Sequence, residues 1–219
     1  MNRIEPALLQ EMAGRLSAAD RDEMAIPSYL HKNPALRWMA WRRIEVVGRR
    51  LQEVCPVRGT VLDFGCGTGM LFGDALMRAD RVWGVDLVLD AAELLVQRRA
   101  LRRVTLLHPD QAQAQIPATS VDVVVAAEVL EHLDDPAPTF AWFRRVLRPK
   151  GELLVSLPTE NRAYKLGRRL AGFKGDYHEH DAQAVHRALE KAGFRRTWGT
   201  QVPLPGPLTI YEVSAWALS

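Results

Sequence analysis

From residue 60 onward, short apolar runs rich in β-branched residues alternate with segments of helical periodicity. The strand-like runs are residues 60–64, 81–86, 103–107, 121–127 and 152–157. The amphipathic stretches between them fall at about 70–79, 89–101 and 136–147. Parallel strands need crossover connections, so this alternation predicts an α/β fold with a parallel sheet covered by helices on both faces.

The two ends of the chain depart from this alternation. Residues 1–59 read as helical, with an apolar stripe over 36–54 and arginines on the other faces of that helix. We favour a solvated arginine face over a nucleic-acid footprint. At the other end, a helix at 182–192 precedes strand-like runs at 194–202 and 209–218, separated by a short link containing Pro and Gly. So short a link excludes a helical crossover and predicts an antiparallel hairpin.

Composition narrows the class of protein. The chain has 219 residues, 47% of them hydrophobic and 25% charged, enough to bury a core without disulfides or metals. No apolar run is long enough for a spanning helix, and the N-terminal residues lack the apolar core of a secretory signal. Two cysteines and a net charge of +3 favour a reducing, cytoplasmic location and argue against a nucleic-acid partner.

The strongest local motif is the segment VLDFGCGTG, residues 61–69. Gly65, Gly67 and Gly69 follow a buried strand and precede a predicted helix, as in loops that let a ligand approach the backbone closely. We expect the helix from Met70 to favour an anionic group there. A dinucleotide fingerprint would place a further glycine at Met70, and the Gly-Lys-Ser/Thr of a phosphate-binding P-loop is absent.

The second strand ends at Asp86, where a carboxylate can accept hydrogen bonds from both hydroxyls of a ribose. With the glycine loop, this makes residues 58–218 resemble the class I S-adenosylmethionine-dependent methyltransferases, similar to the small-molecule enzymes of ubiquinone and menaquinone biosynthesis. The resemblance implies a Rossmann-like, doubly wound sheet of seven strands, mostly parallel with an antiparallel last strand. It also implies S-adenosylmethionine as cofactor and S-adenosylhomocysteine as product.

The resemblance further implies roles for individual residues. Asp63 would support the methionine amino end of the cofactor, Asp86 would bind the ribose and Leu87 would lie on the adenine face. Asp110, in the loop after the third strand, resembles the acid that meets the adenine amino group. The other implied cofactor contacts are Gly65, Cys66, Gly67, Gly69 and Glu128.

The fourth strand leads into AAEVLEHLDDP, a run that similar methyltransferases carry where the methyl group meets the acceptor. Glu131 and His132 are the candidate catalytic residues, because an imidazole can take a proton from a hydroxyl or amine near neutral pH. Two alternatives stay open. The segment could only shape the turn beside the cofactor, or Glu128, Glu131 and His132 could hold a divalent metal. The second arrangement resembles that of RNA 3′-terminal 2′-O-methyltransferases.

Residues 158–181 form an insert between the fifth strand and the last helix. Over 161–175 five basic residues alternate with apolar ones and no acidic residue occurs. This basic amphipathic pattern fits a lid over the substrate, a contact for a phosphate-bearing substrate, a transient membrane-surface contact or a solvated helix. By resemblance only, Tyr164, Tyr177 and His178 are acceptor-side residues.

We therefore expect a single methyltransferase domain over residues 1–219, with a helical cap at 1–57 and a Rossmann-like core at 58–218. The expected activity is methyl transfer to a small-molecule acceptor by direct displacement. One alternative is metal-dependent methylation of an RNA end. Another is a cofactor-binding protein that acts through a partner without catalysis.

Overall fold

The computed structural model describes residues 3–159, 182–206 and 209–219. Most of the basic insert, including Tyr164, Tyr177 and His178, lies outside the described residues. Within the described ranges, no helix combines the length and apolarity needed to cross a membrane.

A seven-stranded sheet forms the centre of the fold. The strands are β1 (Gly59–Phe64), β2 (Ala79–Val85), β3 (Val104–Leu107), β4 (Val121–Ala127), β5 (Leu147–Pro158), β6 (Phe194–Val202) and β7 (Tyr211–Leu218). Their order is β3-β2-β1-β4-β5-β7-β6. All neighbours among the first five strands are parallel, and β7 runs antiparallel to both β5 and β6. The predicted fold class and the C-terminal hairpin are confirmed.

Helices cover both faces of the sheet. They are α1 (Pro6–Arg15), α2 (Ala18–Glu23), α3 (Ile26–Tyr29), α4 (Pro34–Val54), α5 (Phe72–Leu76), α6 (Asp90–Arg98), α7 (Pro109–Gln115), α8 (Ala137–Val146) and α9 (Ala182–Lys191). A 3-10 turn at Leu130–His132 follows β4.

Two of these helices differ from the sequence-based expectation. Helix α5 has five residues rather than about ten, because β2 begins pairing with β1 already at Ala79. Helix α7 was expected to be a loop. Its only buried residue is Ala112, so it shows no apolar stripe. It forms because Pro109 occupies the first turn and His108 and Gln111 make a reciprocal capping box.

The position of the site follows from the strand order. Strand β1 lies between β2 and β4, so the direction in which the sheet is wound reverses beside it. Loops leaving the carboxyl ends of neighbouring strands diverge at such a point and leave a crevice. The inner residues of β1 and β4 are buried on both faces, which holds the crevice on a rigid base.

Candidate active site

A cleft of about 550 Å³ opens at the carboxyl ends of β1, β2 and β4. The glycine loop and the ends of these strands line one side of the cleft. The opposite walls come from the α2–α3 connection, the 3-10 turn after β4, and helices α7 and α8. The described N-terminal helices therefore contribute directly to the cleft.

The glycine loop is hydrogen-bonded to the end of the second strand, β2. The backbone N–H of Gly65 donates to the carbonyl of Val85 at 2.8 Å. Gly65 has φ +73°, and a Cβ added there would lie 2.6 Å from the Cβ of Val129. Only glycine fits this position. Helix α5, which the sequence predicts to begin near Met70, begins at Phe72 and has five residues.

Asp86 is oriented by the backbone of two loops. One carboxylate oxygen accepts from the N–H of Gly67 at 2.7 Å, and the other accepts from the N–H of Val88 at 3.2 Å. A carboxylate can accept about four hydrogen bonds, so capacity remains for a ligand diol. The adjacent Leu87 also lines the cleft and is 76% exposed, ready to cover an aromatic ring.

Asp63, the penultimate residue of β1, lies in a different environment. Its side chain is 3% exposed, it lines the cleft, and no described residue donates a hydrogen bond to its carboxylate. Burial raises the pKa of Asp63 to about 7, and the nearby charge of Asp86 adds to this effect. A buried carboxylate without a donor is costly and favours a cationic ligand. The buried carboxylate of Asp63 therefore fits the cationic ammonium end of S-adenosylmethionine.

Arg43 corrects the interpretation of the arginines on α4. It is 6% exposed rather than solvated, and it lines the cleft. One guanidinium nitrogen forms an ion pair with Glu128, and another donates to the hydroxyl of Tyr29 at 2.8 Å. The guanidinium also lies over the ring of Tyr211, 4.9 Å from its centroid. A cation from the N-terminal helices thus meets an anion from the loop after β4.

The Arg43 side chain is 8% exposed and that of Glu128 is 21% exposed. Burial raises the pKa of Glu128, although the guanidinium of Arg43 opposes the shift. Burial likewise raises the pKa of Tyr211 to about 12. Glu128 has φ +57°, a strained conformation for a residue other than glycine. Its Oε1 and the Nε of Arg43 are buried without partners among the described residues, so both groups retain capacity to bind a ligand.

Glu131 and His132, the predicted catalytic residues, occupy different environments. His132 lines the cleft. Glu131 is 1% exposed and is not among the cleft-lining residues. Within the described ranges, no group of three or more His, Cys, Asp or Glu side chains is arranged to hold a metal ion. Glu128 points to Arg43 instead.

The remaining residues that the sequence predicts to bind the cofactor also include some that line the cleft and some that do not. Cys66 and Gly67 line the cleft, and burial raises the pKa of the Cys66 thiol well above its usual range, which keeps it unreactive. Asp110 is exposed in the first turn of α7 and does not line the cleft, whereas Pro109 and Gln113 do. The structure therefore does not place Asp110 in the cleft with the other residues predicted to bind the cofactor.

Sequence reasoning missed Arg43, although a signal was present. Arg43 lies three residues after Ala40 and four before Val47, in phase with the apolar stripe of α4. A cation in phase with a buried stripe indicates a buried charge that needs a partner. Its partner Glu128 is 85 positions away in the sequence and carries no matching pattern.

Comparison with known proteins identifies the family. The family described as "Methyltransferase domain" matches residues 36–197. A Mycolicibacterium smegmatis protein named as a probable S-adenosylmethionine-dependent methyltransferase is 39% identical over 174 residues, covering 78% of this chain and 63% of that protein. The ubiquinone biosynthesis O-methyltransferase of Histophilus somni is 33% identical over 112 residues, covering 48% of this chain and 46% of that protein.

The fold has matches among solved structures. The N-methyltransferase NodS of Bradyrhizobium japonicum, solved with S-adenosyl-L-homocysteine, aligns with a TM-score of 0.67 and 19% identity, over 96% of this chain and 98% of that one. The chain spans less than two thirds of the length of the first curated relatives it matches. The family match covers most of the length of this chain. The chain therefore belongs to the methyltransferase-domain family, which comprises class I methyltransferases that have a Rossmann-like fold and use S-adenosylmethionine as cofactor.

Proposed function

We propose that this protein transfers a methyl group from S-adenosylmethionine to a small-molecule acceptor by direct displacement. One observation carries the proposal. The buried carboxylate of Asp63 faces the cleft without a donor, beside a glycine loop and a second carboxylate, Asp86. A ligand that presents both a cationic end and a diol satisfies these two groups together.

The amino-acid end of the cofactor would be held by opposite charges. Arg43, which lines the cleft, would bind its carboxylate, and Asp63 and Glu128 would bind its ammonium. In the structure Arg43 and Glu128 pair with each other. When the zwitterionic end of the cofactor binds, the ion pair between Arg43 and Glu128 would be replaced by one ion pair from each of them to the ligand. Because the new ion pairs are of the same kind as the old one, little electrostatic energy is lost on binding. The ribose would be bound by Asp86.

The reaction needs alignment more than acid–base chemistry. When bound, the cofactor supplies a methyl group on a positively charged sulfur, which an acceptor displaces in line. The cleft walls hold the acceptor close and exclude water. We assign His132, which lines the cleft, to remove a proton from a hydroxyl or amine acceptor. Glu131 is buried outside the cleft lining, so we assign it to positioning the turn that carries His132.

Small-molecule acceptors agree with the curated relatives that are named as ubiquinone biosynthesis O-methyltransferases. We extend the same class to this chain, with residues 1–219 acting as one cytoplasmic methyltransferase domain. Its helical cap would cover the acceptor. Contact of residues 161–175 with a membrane surface is part of the proposal where the acceptor is lipid-linked.

Two measurements test the function in sequence. S-adenosylhomocysteine is first titrated into the protein by calorimetry, with Asp63→Ala as the loss-of-binding control. Radiolabelled S-adenosylmethionine is then incubated with the protein and a nuclease-treated small-molecule extract. Labelled small molecules are the expected product.

Each other outcome contradicts a defined part of the proposal. Absence of binding overturns the cofactor assignment. Binding without turnover favours a non-catalytic protein that acts through a partner. No turnover with the extract, but turnover when an RNA with a free 3′ end and manganese replace it, abolished by a chelator, favours the metal-dependent RNA enzyme.

A further inference from the structure

The segments where β1, β2 and β3 begin are rich in arginine and lie at the edge of the sheet opposite the cleft. These segments are residues 56–58, 77–81 and 100–103. Their charged residues are one aspartate, Asp80, and five arginines: Arg58, Arg78, Arg81, Arg102 and Arg103. This excess of positive charge is larger than the net charge of +3 of the whole chain. We propose that this surface, the amino-edge patch, binds an acidic segment of a partner protein. The inference does not depend on the proposed function.

Parallel pairing brings the three segments of the patch together. Strand β2 pairs in parallel with β1 on one side and with β3 on the other. The N–H of Arg58 donates to the carbonyl of Arg78 at 2.7 Å. The carboxylate of Asp80 accepts from Arg58 at 2.7 Å and forms an ion pair with Arg103 at 3.5 Å. Neighbouring strands lie about 4.8 Å apart, so the patch is about 10 Å wide across the strands.

Two of the arginines are held in place by backbone carbonyls. The guanidinium of Arg103 donates to the carbonyls of Ala79 and Leu76, at 2.7 and 3.1 Å. The Nε of Arg78 donates to the carbonyl of Cys55 at 3.2 Å. A guanidinium has five N–H donors, so both groups keep donors for carboxylates of a partner. Because their positions are already fixed, less side-chain entropy is lost when such a partner binds.

The backbone at Arg58 gives independent support. Arg58 has φ +63°, in the left-handed region that favours glycine, and its side chain is 82% exposed. The chain therefore carries an exposed cation at a position where the backbone conformation disfavours any side chain. Local strain of this kind is concentrated at binding sites.

Two exposed apolar side chains lie beside the arginines in the sequence. Val57 precedes Arg58 and is 69% exposed, and Met77 precedes Arg78 and is 65% exposed. Interfaces between proteins are enriched in Met and Arg and depleted of Lys, and the three segments contain no lysine. A partner segment that presents carboxylates together with apolar side chains complements both features.

Other anionic partners fit the patch less well. Sites for single-stranded nucleic acid place aromatic side chains beside a basic groove, and the three segments contain no aromatic residue. Asp80, between Arg58 and Arg103, would repel a row of phosphates. A lipid surface attracts basic side chains that extend toward the headgroups. The guanidinium groups of Arg78 and Arg103 are instead held against the backbone.

The test uses the full chain and fluorescence anisotropy, with a labelled peptide of sequence Glu-Glu-Leu-Glu-Glu-Leu-Glu-Glu as the probe. Wild type should bind the peptide. Arg81→Glu combined with Arg102→Glu should raise its Kd about tenfold or more, because like charges then face each other. Both arginines are exposed, so the fold should tolerate the change. The matched control is Lys150→Glu combined with Arg195→Glu, the same change of charge at exposed positions outside the patch, which should leave Kd within about twofold.

A second pair of measurements tests the apolar contacts. A peptide with serine in place of both leucines should bind wild type about fivefold more weakly than the parent peptide. Val57→Ser combined with Met77→Ser should bind the two peptides equally, because the side chains that contact leucine are then absent. These variants keep every arginine, so they test the inference even if the charge reversal disturbs the fold.

The contradicting outcomes are specific. Absence of peptide binding by wild type, or equal affinity of wild type and the Arg81→Glu, Arg102→Glu variant, overturns the inference. Tighter binding of a short single-stranded RNA or of phosphatidylserine vesicles through the same arginines also overturns it, in favour of that anion. The cleft lies about 20 Å away, at the other end of the strands. The variants should therefore bind S-adenosylhomocysteine as wild type does, and failure of wild type to bind that ligand would overturn only the proposed function.

Discussion

Replacing Asp63 with asparagine should make the ligand-free protein more stable at pH 8 while abolishing its affinity for the cofactor. Asp63 is buried one residue before the end of β1, and no hydrogen bond from a described residue lowers the pKa of its carboxylate. At pH 8 the wild-type protein must therefore hold a poorly solvated charge. Asparagine has nearly the same shape and no charge, so the substitution removes that cost.

The expected change in the free energy of unfolding follows from the pKa of Asp63, which burial raises from 3.8 to about 7. This interval corresponds to on the order of 4 kcal/mol, since each pH unit is about 1.4 kcal/mol. At pH values between 3.8 and about 7, Asp63 is protonated in the folded protein and deprotonated in the unfolded chain. Wild-type stability therefore falls as pH rises through this range and levels off above about 7. About 2 kcal/mol of the fall lies between pH 5 and pH 7, and nearly 3 kcal/mol between pH 5 and pH 8.

The assay is urea unfolding followed by circular dichroism at pH 5, 6, 7 and 8. The stability of Asp63→Asn minus that of wild type should increase by about 3 kcal/mol from pH 5 to pH 8. Asp86→Asn is the matched control. Its carboxylate accepts hydrogen bonds from Gly67 and Val88, so this substitution should destabilise the protein at every pH.

Two results would refute this reasoning. One is a difference between Asp63→Asn and wild type that does not change with pH. The other is a wild-type protein more stable than Asp63→Asn at pH 8. Either result would mean that the carboxylate of Asp63 is well solvated or paired in the folded protein. Burial would then not favour the binding of a cationic ligand to it.

Four further results are expected. Asp86→Ala should weaken binding of S-adenosylhomocysteine by about 1–3 kcal/mol in calorimetry, and unchanged affinity would contradict its role at the ribose. Affinity for the same ligand should rise from pH 6 to pH 8, because the deprotonated form of Asp63 binds the ammonium; in Asp63→Asn this dependence should disappear. Arg43→Met should destabilise the protein by about 3 kcal/mol in urea unfolding, since it leaves Glu128 without its cation. Adding Glu128→Gln should recover part of the loss, and equal stability of the single and double variants would argue against the pair. His132→Gln should lower kcat at least tenfold (about 1.4 kcal/mol) with unchanged binding of S-adenosylhomocysteine, and an unchanged kcat would make His132 a packing residue.

Much of the fold could be predicted because it is encoded in neighbouring residues. The apolar runs marked the parallel strands, and the short link before β7 required an antiparallel hairpin. The loop that carries Gly65 and the carboxylate of Asp86 were placed correctly at one crevice, since parallel strands bring their carboxyl ends to the same edge. Helix α7 escaped prediction because capping by His108 and Gln111, rather than an apolar stripe, stabilises it.

The sequence by itself determined the class of fold, the glycine loop and the two carboxylates, because each depends on local pattern and on strand ends. Only the tertiary structure decided which other side chains join them. Arg43 enters the cleft because α4 packs across the sheet and brings it to Glu128, 85 positions away. Likewise, the rotation of α7 against α8 turns Gln113 toward the cleft and Asp110 toward solvent. Such choices depend on how whole helices pack, and local residue patterns do not encode that packing.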